Sequence, residues 1–207
     1  MEWESADDDL QDAKGAMDVL DMLRPWTTVK ELSIDGYVGV KFPTWLGHPS
    51  FSNMVLLRIE SCRKCTSLPA IGQLPSLKNL VIKGMANVQR VGPEFYGEGC
   101  LKPFQSLETL CFGDLQEWQD WIPSGVEYEE FPRLREISIS YCPKLRGKLP
   151  YHLPSLEELT SLTNLIIDCD GGFPDWQSFP SEEEDGKMMM TLPTSLTTLK
   201  IYNLPNI

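Results

Sequence analysis

A short apolar motif recurs along this 207-residue chain: an apolar residue, two variable residues, Leu or a similar residue, one variable residue, and then Ile or another apolar residue. Its seven copies are Val29/Leu32/Ile34, Met54/Leu57/Ile59, Leu77/Leu80/Ile82, Leu107/Leu110/Phe112, Leu134/Ile137/Ile139, Leu162/Leu165/Ile167 and Leu196/Leu199/Ile201. Successive copies begin 25, 23, 30, 27, 28 and 34 residues apart. A motif that recurs at such intervals predicts a solenoid, in which each unit contacts mainly its neighbours.

Each copy has the local pattern of a short strand. In Leu77–Ile82, Leu80 and Ile82 point to one face and Val81 to the other, because side chains alternate along a strand. Proline beside core leucines, as in Leu68-Pro69, breaks helices between the strands. The sequence therefore predicts an α/β fold: a leucine-rich-repeat solenoid, shaped as a horseshoe arc, with a parallel concave sheet and a mostly irregular convex side.

The chain divides into two parts in this interpretation. Residues 1–24 form an acidic N-terminal segment with a possible short helix over 13–23, either a cap or the convex side of a preceding repeat. Residues 25–207 form the array of about seven strand units, with an acidic loop insertion near 177–191. Neither end shows a polar capping repeat, so we expect exposed core at both ends, as in a chain cut from a longer protein.

Charge excludes some partners. The formal net charge is −12, which disfavours nucleic acid and anionic membranes because both need clustered Lys and Arg. The sequence has no secretory signal, no membrane-spanning apolar run and no Asn-x-Ser/Thr acceptor. These features favour a cytoplasmic protein that is not inserted in a membrane.

Catalytic and metal-binding patterns are missing from the sequence, which contains no phosphate-binding loop and no nucleophile elbow. His48 and His152 lie in turn-like segments, and the Cys62-x-x-Cys65 pair has no second pair to complete a zinc site. We therefore expect no enzyme, no cofactor and no metal. Six cysteines are interpreted as thiols, with Cys62 and Cys142 at strand exits.

The outward positions of the strands are the candidate protein-binding residues, because they vary from coil to coil while the inward positions stay apolar. An ordinary solvated strand face is the alternative. Trp118 and Trp121 either anchor a partner or cover the convex core, and the second interpretation is favoured. The candidate binding residues are Glu31, Ser33, Asp35, Arg58, Glu60, Asn79, Val81, Lys83, Glu136, Ser138, Lys200 and Tyr202.

Four segments carry a family resemblance: Phe42–Leu46, Ser67–Pro69 after the Cys62 exit, Ile71–Lys78 and Val91–Gly97. Their order resembles the repeat region of plant nucleotide-binding leucine-rich-repeat disease-resistance proteins of the coiled-coil class, and Met17–Pro25 resembles the segment that precedes it. The resemblance implies the recognition module of an intracellular immune receptor. Its repeats would sense a pathogen effector or a guarded host protein and restrain a nucleotide-binding domain.

This sequence has neither a signalling domain nor a phosphate loop, so no nucleotide site carries over from the resemblance. Protein partners are therefore expected, including the nucleotide-binding domain of a full-length receptor. The alternatives are a free-standing scaffold or decoy, and a nonfunctional truncated fragment.

Overall fold

The computed structural model describes residues 6–122, 124, 130–145, 161–168 and 194–203. Nine strands lie in the described ranges: β1 (Glu31–Asp35), β2 (Leu56–Glu60), β3 (Asn79–Lys83), β4 (Arg90–Val91), β5 (Thr109–Gly113), β6 (Asp120–Trp121), β7 (Glu136–Ser140), β8 (Asn164–Asp168) and β9 (Thr198–Tyr202). Seven form one parallel sheet in the order β1-β2-β3-β5-β7-β8-β9, and β4 pairs with β6. The predicted α/β leucine-rich-repeat solenoid is confirmed. The acidic loop expected near 177–191 lies outside the described residues.

The sheet is stacked in strict register, so each motif position lies beside its equivalent in the next coil. Leu57 pairs with Leu80, and Ile59 with Ile82. These inward residues are fully buried in the interior coils. At the last strand, Leu199 and Ile201 are 45% and 39% exposed, because no further coil covers them in the described part of the chain.

The backbone turns the same way after six strands of the large sheet, β1, β2, β3, β5, β7 and β9, whose exits the structure describes. The residue that follows has a positive φ, between 51° and 68°. After β1, β2, β3 and β5 its N–H donates to the last residue of the next strand, as Ser61 N–H does to the Lys83 carbonyl at 2.9 Å. Cys62 and Cys142 come next, and their thiols donate to the carbonyls of Glu60 and Ser140 at 3.2 and 3.3 Å. The residues with positive φ at these exits are Gly36, Ser61, Gly84, Asp114, Tyr141 and Asn203.

The convex side consists of short elements around an aromatic core. It includes 3-10 turns at Thr44–Gly47 and Ile71–Gln73, the helix α2 (Pro93–Tyr96), and the β4–β6 pair. That pair was not predicted, because two-residue strands are too short to show an apolar alternation. Buried at its centre are Phe95, Tyr96, Phe104, Phe112, Trp118, Trp121 and Phe131.

Both tryptophans of Glu117–Trp121 belong to this core. The indole N–H of Trp121 donates to the Tyr96 hydroxyl at 2.8 Å, and that of Trp118 to the Asp120 carbonyl at 2.9 Å. Their relative exposures are 2% and 0%, so neither can anchor a partner without unfolding. Covering the convex core is therefore their role.

The N-terminal helix α1 spans Ala6–Met22, so it begins well before residue 13, where the sequence interpretation placed its start. The apolar residues Met17, Leu20 and Leu23 cover only the second half of the helix and the residue after it, so the apolar pattern does not indicate where the helix begins. Ala16 and Leu20 pack against the core, whereas Val19 and Met22 are exposed. The helix thus covers part of the core at the β1 end of the solenoid.

The contribution of an inward leucine to the free energy of unfolding should depend on its place in the stack. Leu110 is fully buried, so Leu110→Ala should cost about 2–5 kcal/mol of unfolding free energy. Leu199 is half-exposed at the last strand, so Leu199→Ala should cost about 1 kcal/mol or less. Urea unfolding followed by circular dichroism measures both. Equal losses would contradict the stacking of the coils described above.

Two glycines with positive φ at strand exits form a matched pair. A Cβ at Gly84 would lie 3.0 Å from the Ser61 nitrogen, whereas at Gly36 nothing lies within 4 Å. Gly36→Ala should therefore cost only the left-handed strain, about 1–2 kcal/mol. Gly84→Ala also places a methyl group against the preceding coil, so it should lower the free energy of unfolding by about 1 kcal/mol or more beyond the effect of Gly36→Ala. Thermal melting of both variants tests this order, and a smaller loss for Gly84→Ala would contradict it.

Trp118 and Trp26 test whether the convex aromatics serve stability. Trp118→Ala should lower the unfolding free energy by about 3–5 kcal/mol, because it empties a packed aromatic site. Trp26 is 86% exposed, so Trp26→Ala should change it by about 0.5 kcal/mol or less. Urea unfolding followed by circular dichroism avoids the loss of the fluorophore. A stable Trp118→Ala variant would reopen the role of this residue as a binding anchor.

Candidate functional site

One face of the seven-stranded sheet covers the core, and the opposite face is the concave surface of the solenoid. The sheet lies on the concave side because its strands, about 4.8 Å apart, stack more closely than the convex elements. Three residues of each strand, the first, third and fifth, line it. Side by side in the first row stand Glu31, Leu56, Asn79, Thr109, Glu136, Asn164 and Thr198. The middle row is Ser33, Arg58, Val81, Cys111, Ser138, Ile166 and Lys200. The last row is Asp35, Glu60, Lys83, Gly113, Ser140, Asp168 and Tyr202.

All twelve candidate residues lie on this face, but in three separate groups. Eight occupy β1–β3, Glu136 and Ser138 lie on β7, and Lys200 and Tyr202 lie on the terminal β9. The strands β5 and β8 lie between these groups in the sheet. The structure therefore brings together only the β1–β3 group as one continuous surface.

Charges of both signs meet in the β1–β3 group. Asp35, Glu60 and Lys83 stand next to one another in the last row, while Arg58 lies between Ser33 and Val81 in the middle row. Arg58 and Lys83 are exposed. Within the described ranges no salt bridge joins either cation to a carboxylate. Both charges are therefore available to a partner from outside.

Lys83 reaches across the sheet towards β7. A Cβ at Gly113 would lie 3.1 Å from the Lys83 Cγ and 3.1 Å from the Ser140 Oγ, so the lysine stem lies over the backbone of β5. Burial raises the pKa of the half-buried Cys111, and the ammonium of Lys83 partly opposes that shift. Gly113 thus leaves room for a cation near the middle of the concave face.

The sequence interpretation missed the outward residues of β5 and β8 as binding candidates. The alternation that identified the other strands applies to Thr109, Cys111 and Gly113 as well. Ile166 is harder to recognise, because Leu165, Ile166 and Ile167 form a continuous apolar run. In the structure Ile166 is the outward and half-buried member.

Catalytic chemistry finds little support in the described residues. His48 is exposed in a loop, with its Nδ1 2.8 Å from the Ser50 hydroxyl. Burial raises the pKa of Cys65 to about 12, and its thiol donates to the Gly39 carbonyl at 3.1 Å. Such a thiol stays protonated and is a poor nucleophile. His152 and Cys169 lie outside the described residues.

Two further searches concern metals and membranes. In the described ranges no group of three or more His, Cys, Asp or Glu side chains is arranged to hold a metal ion. No helix in those ranges has the length and apolar character to cross a bilayer. A shallow groove of about 320 Å³ lies on the convex side, and its lining includes Gln73, Glu98 and Lys102.

Comparisons with known proteins, by family and by individual relative, agree with one another. A family described as R13L1/DRL21 LRRs matches residues 1–85. RPP13-like protein 1 of Arabidopsis thaliana is 44% identical over 149 residues, which cover 69% of this chain and 14% of the relative. Disease resistance protein RGA2 of Solanum bulbocastanum is 31% identical over 162 residues, which cover 76% of this chain and 16% of the relative.

RGA4 of Solanum bulbocastanum is 30% identical over 187 residues, which cover 82% of this chain and 19% of the relative. The names of all three relatives describe disease resistance, and the chain spans less than a fifth of the length of each. Together with the parallel sheet and its repeated motif, these matches confirm the resemblance that the sequence carries. The chain belongs to the leucine-rich-repeat family of plant disease resistance proteins.

Proposed function

We propose that this chain is the protein-recognition module of a cytoplasmic plant immune receptor, and that its concave face binds the protein being sensed. In this proposal the partner is a pathogen effector or a guarded host protein. The same array restrains a nucleotide-binding switch domain that lies outside this chain. The proposal assigns recognition, and no catalysis, to these repeats.

The observation that carries the proposal concerns the two cations of the β1–β3 group, which form no salt bridge with any residue that the structure describes. Arg58 and Lys83 are exposed, and Asp35 and Glu60 lie in the same few rows. Electrostatic complementarity of this kind gives specificity and speeds association more than it adds raw affinity. The buried rows beneath hold the strands in register, so the charged groups are presented on a rigid support.

A free-standing scaffold or decoy is the second candidate. One end of the core is partly covered by α1, through Ala16 and Leu20, which favours a unit that can exist alone. Exposure of Leu199 and Ile201 at the other end favours the opposite, since uncovered strand edges and core promote aggregation. Expression of the 207 residues alone, followed by size-exclusion chromatography with light scattering, separates the two: a stable monomer supports the decoy.

Charge reversal at the two cations tests the concave face directly. In Arg58→Glu/Lys83→Glu, we expect the recovery of at least one interacting protein from leaf cells to fall by about tenfold, equivalent to about 1.4 kcal/mol. Proximity labelling with quantitative mass spectrometry measures this recovery. The melting temperature should stay unchanged, because both side chains are exposed.

A matched control removes the effect of total charge. Arg63→Glu/Arg90→Glu reverses two exposed cations that lie off the concave face and changes the net charge by the same amount. It should keep the interaction within about twofold of the unmodified chain. If no protein is lost selectively from the Arg58/Lys83 variant, the β1–β3 group is not the recognition surface.

A further inference from the structure

A second charged surface lies where the strands of the large sheet begin. The backbone there is as regular as at the strand exits, because the carbonyl of the residue before each strand accepts two N–H groups from the next coil. The Lys78 carbonyl, for example, accepts from Glu108 and Thr109 at 2.8 and 2.9 Å. The residues one and three positions before each strand therefore form two aligned rows, which we name the N-terminal rim.

The N-terminal rim is basic, although the chain as a whole is acidic. Its charged residues are Lys30, Lys78, Arg133 and Arg135, all exposed, and a single acid, Glu108. The chain carries a net charge of −12, so this concentration of cations runs against its average. None of these five residues belongs to the β1–β3 group or to the other candidate residues of the concave face.

The one carboxylate on the rim is already surrounded. Lys78 Nζ lies 2.9 Å from Glu108 Oε1, and this is the rim's sole salt bridge within the described residues. The hydrogen bond from Lys78 lowers the pKa of Glu108, with further contributions from the charges of Lys78, Arg135 and Arg133. An exposed pair of this kind contributes little stability, so Lys78 can exchange its partner for an incoming carboxylate.

The spacing of the cations determines the spacing of negative charges that a ligand of the rim must have. Lys30, Lys78 and Arg135 precede β1, β3 and β7, which are every second strand of the sheet. Strands are about 4.8 Å apart, so successive cations stand about 10 Å apart and the row spans about 19 Å. A peptide in the extended polyproline II conformation advances about 3.1 Å per residue with three residues per turn, so carboxylates three residues apart face one side about 9 Å apart and match this repeat.

We infer that the N-terminal rim binds an acidic, extended segment of a protein partner, laid across the strands with carboxylates at every third residue. A nucleic acid is the less favoured ligand. The net charge of −12 repels a long phosphate backbone more strongly than a short segment that carries three carboxylates.

The inference goes beyond the proposed function and can fail separately from it. Arg58 and Lys83 serve the proposed recognition surface, whereas Arg133 and Arg135 serve the rim. A variant at one pair leaves the other pair intact. Loss of the leaf-cell partner in the first variant and loss of the acidic peptide in the second are therefore independent results.

The test uses the full chain and labelled synthetic peptides. A Glu-x-x-Glu-x-x-Glu peptide, with Ser and Gly at the intervening positions, is compared by fluorescence anisotropy with a peptide of the same composition whose glutamates are adjacent. We expect the spaced peptide to bind about fivefold or more tightly than the clustered one. Its affinity should fall steeply as the salt concentration rises above about 0.15 M.

Arg133→Glu/Arg135→Glu should reduce the affinity for the spaced peptide by about tenfold or more. The control Arg63→Glu/Arg90→Glu, with the same change in net charge, should stay within about twofold of the unmodified chain. If the reversal lowers the melting temperature, Arg133→Gln/Arg135→Gln removes the charges with a smaller perturbation and should still weaken binding about fivefold or more.

Three results would overturn the inference. The first is an absence of binding by the spaced peptide at low salt. The second is an equal loss in the rim variant and its control, which would mean attraction to total charge. The third is binding of a single-stranded oligonucleotide to the rim as tightly as the spaced peptide, which would make nucleic acid the ligand.

Discussion

Stacking is the constraint on which the rest of this structure depends. A single coil of about 25 residues has two inward side chains in its strand and cannot enclose them by itself. Only when Leu57 lies beside Leu80, and Ile59 beside Ile82, do both disappear from solvent. The partial exposure of Leu199 and Ile201 shows the same rule, since the same motif stays partly exposed at β9, the last strand that the structure describes.

Register has a second consequence, which concerns the surface. Because each strand is held beside its neighbour without a shift, outward side chains fall into rows about 4.8 Å apart. The left-handed residues after the strands and the doubly accepting carbonyls before them extend these rows beyond the sheet. Thus the rim charges and the concave-face charges are aligned by the same backbone bonds that align the core.

The sequence was sufficient for the fold and for the face, because both follow from the period of the apolar motif. The inward position of Leu80 and the outward position of Val81 come directly from strand alternation. The sequence did not reveal the β4–β6 pair, the early start of α1 or the outward orientation of Ile166, since none of these leaves a clear apolar period.

The N-terminal rim was missed for a different reason. Its cations do not recur at a regular interval in the sequence, so no periodic pattern identifies Lys30, Lys78 and Arg135 as one group. Only the register of the sheet shows that they precede alternate strands.

The division between inward and outward rows separates the residues that stabilise the fold from those of the proposed recognition surface. An inward truncation at Leu110 removes packed volume, whereas an outward change at Arg58 alters only the field that a partner meets. A repeat protein can therefore vary its outward rows without losing its fold. Lys83 shows the limit of that freedom, because its stem lies over Gly113 and any larger side chain there would displace it. Some outward positions are thus coupled to their neighbours, and the shape of the proposed recognition surface depends on small residues as well as on charged ones.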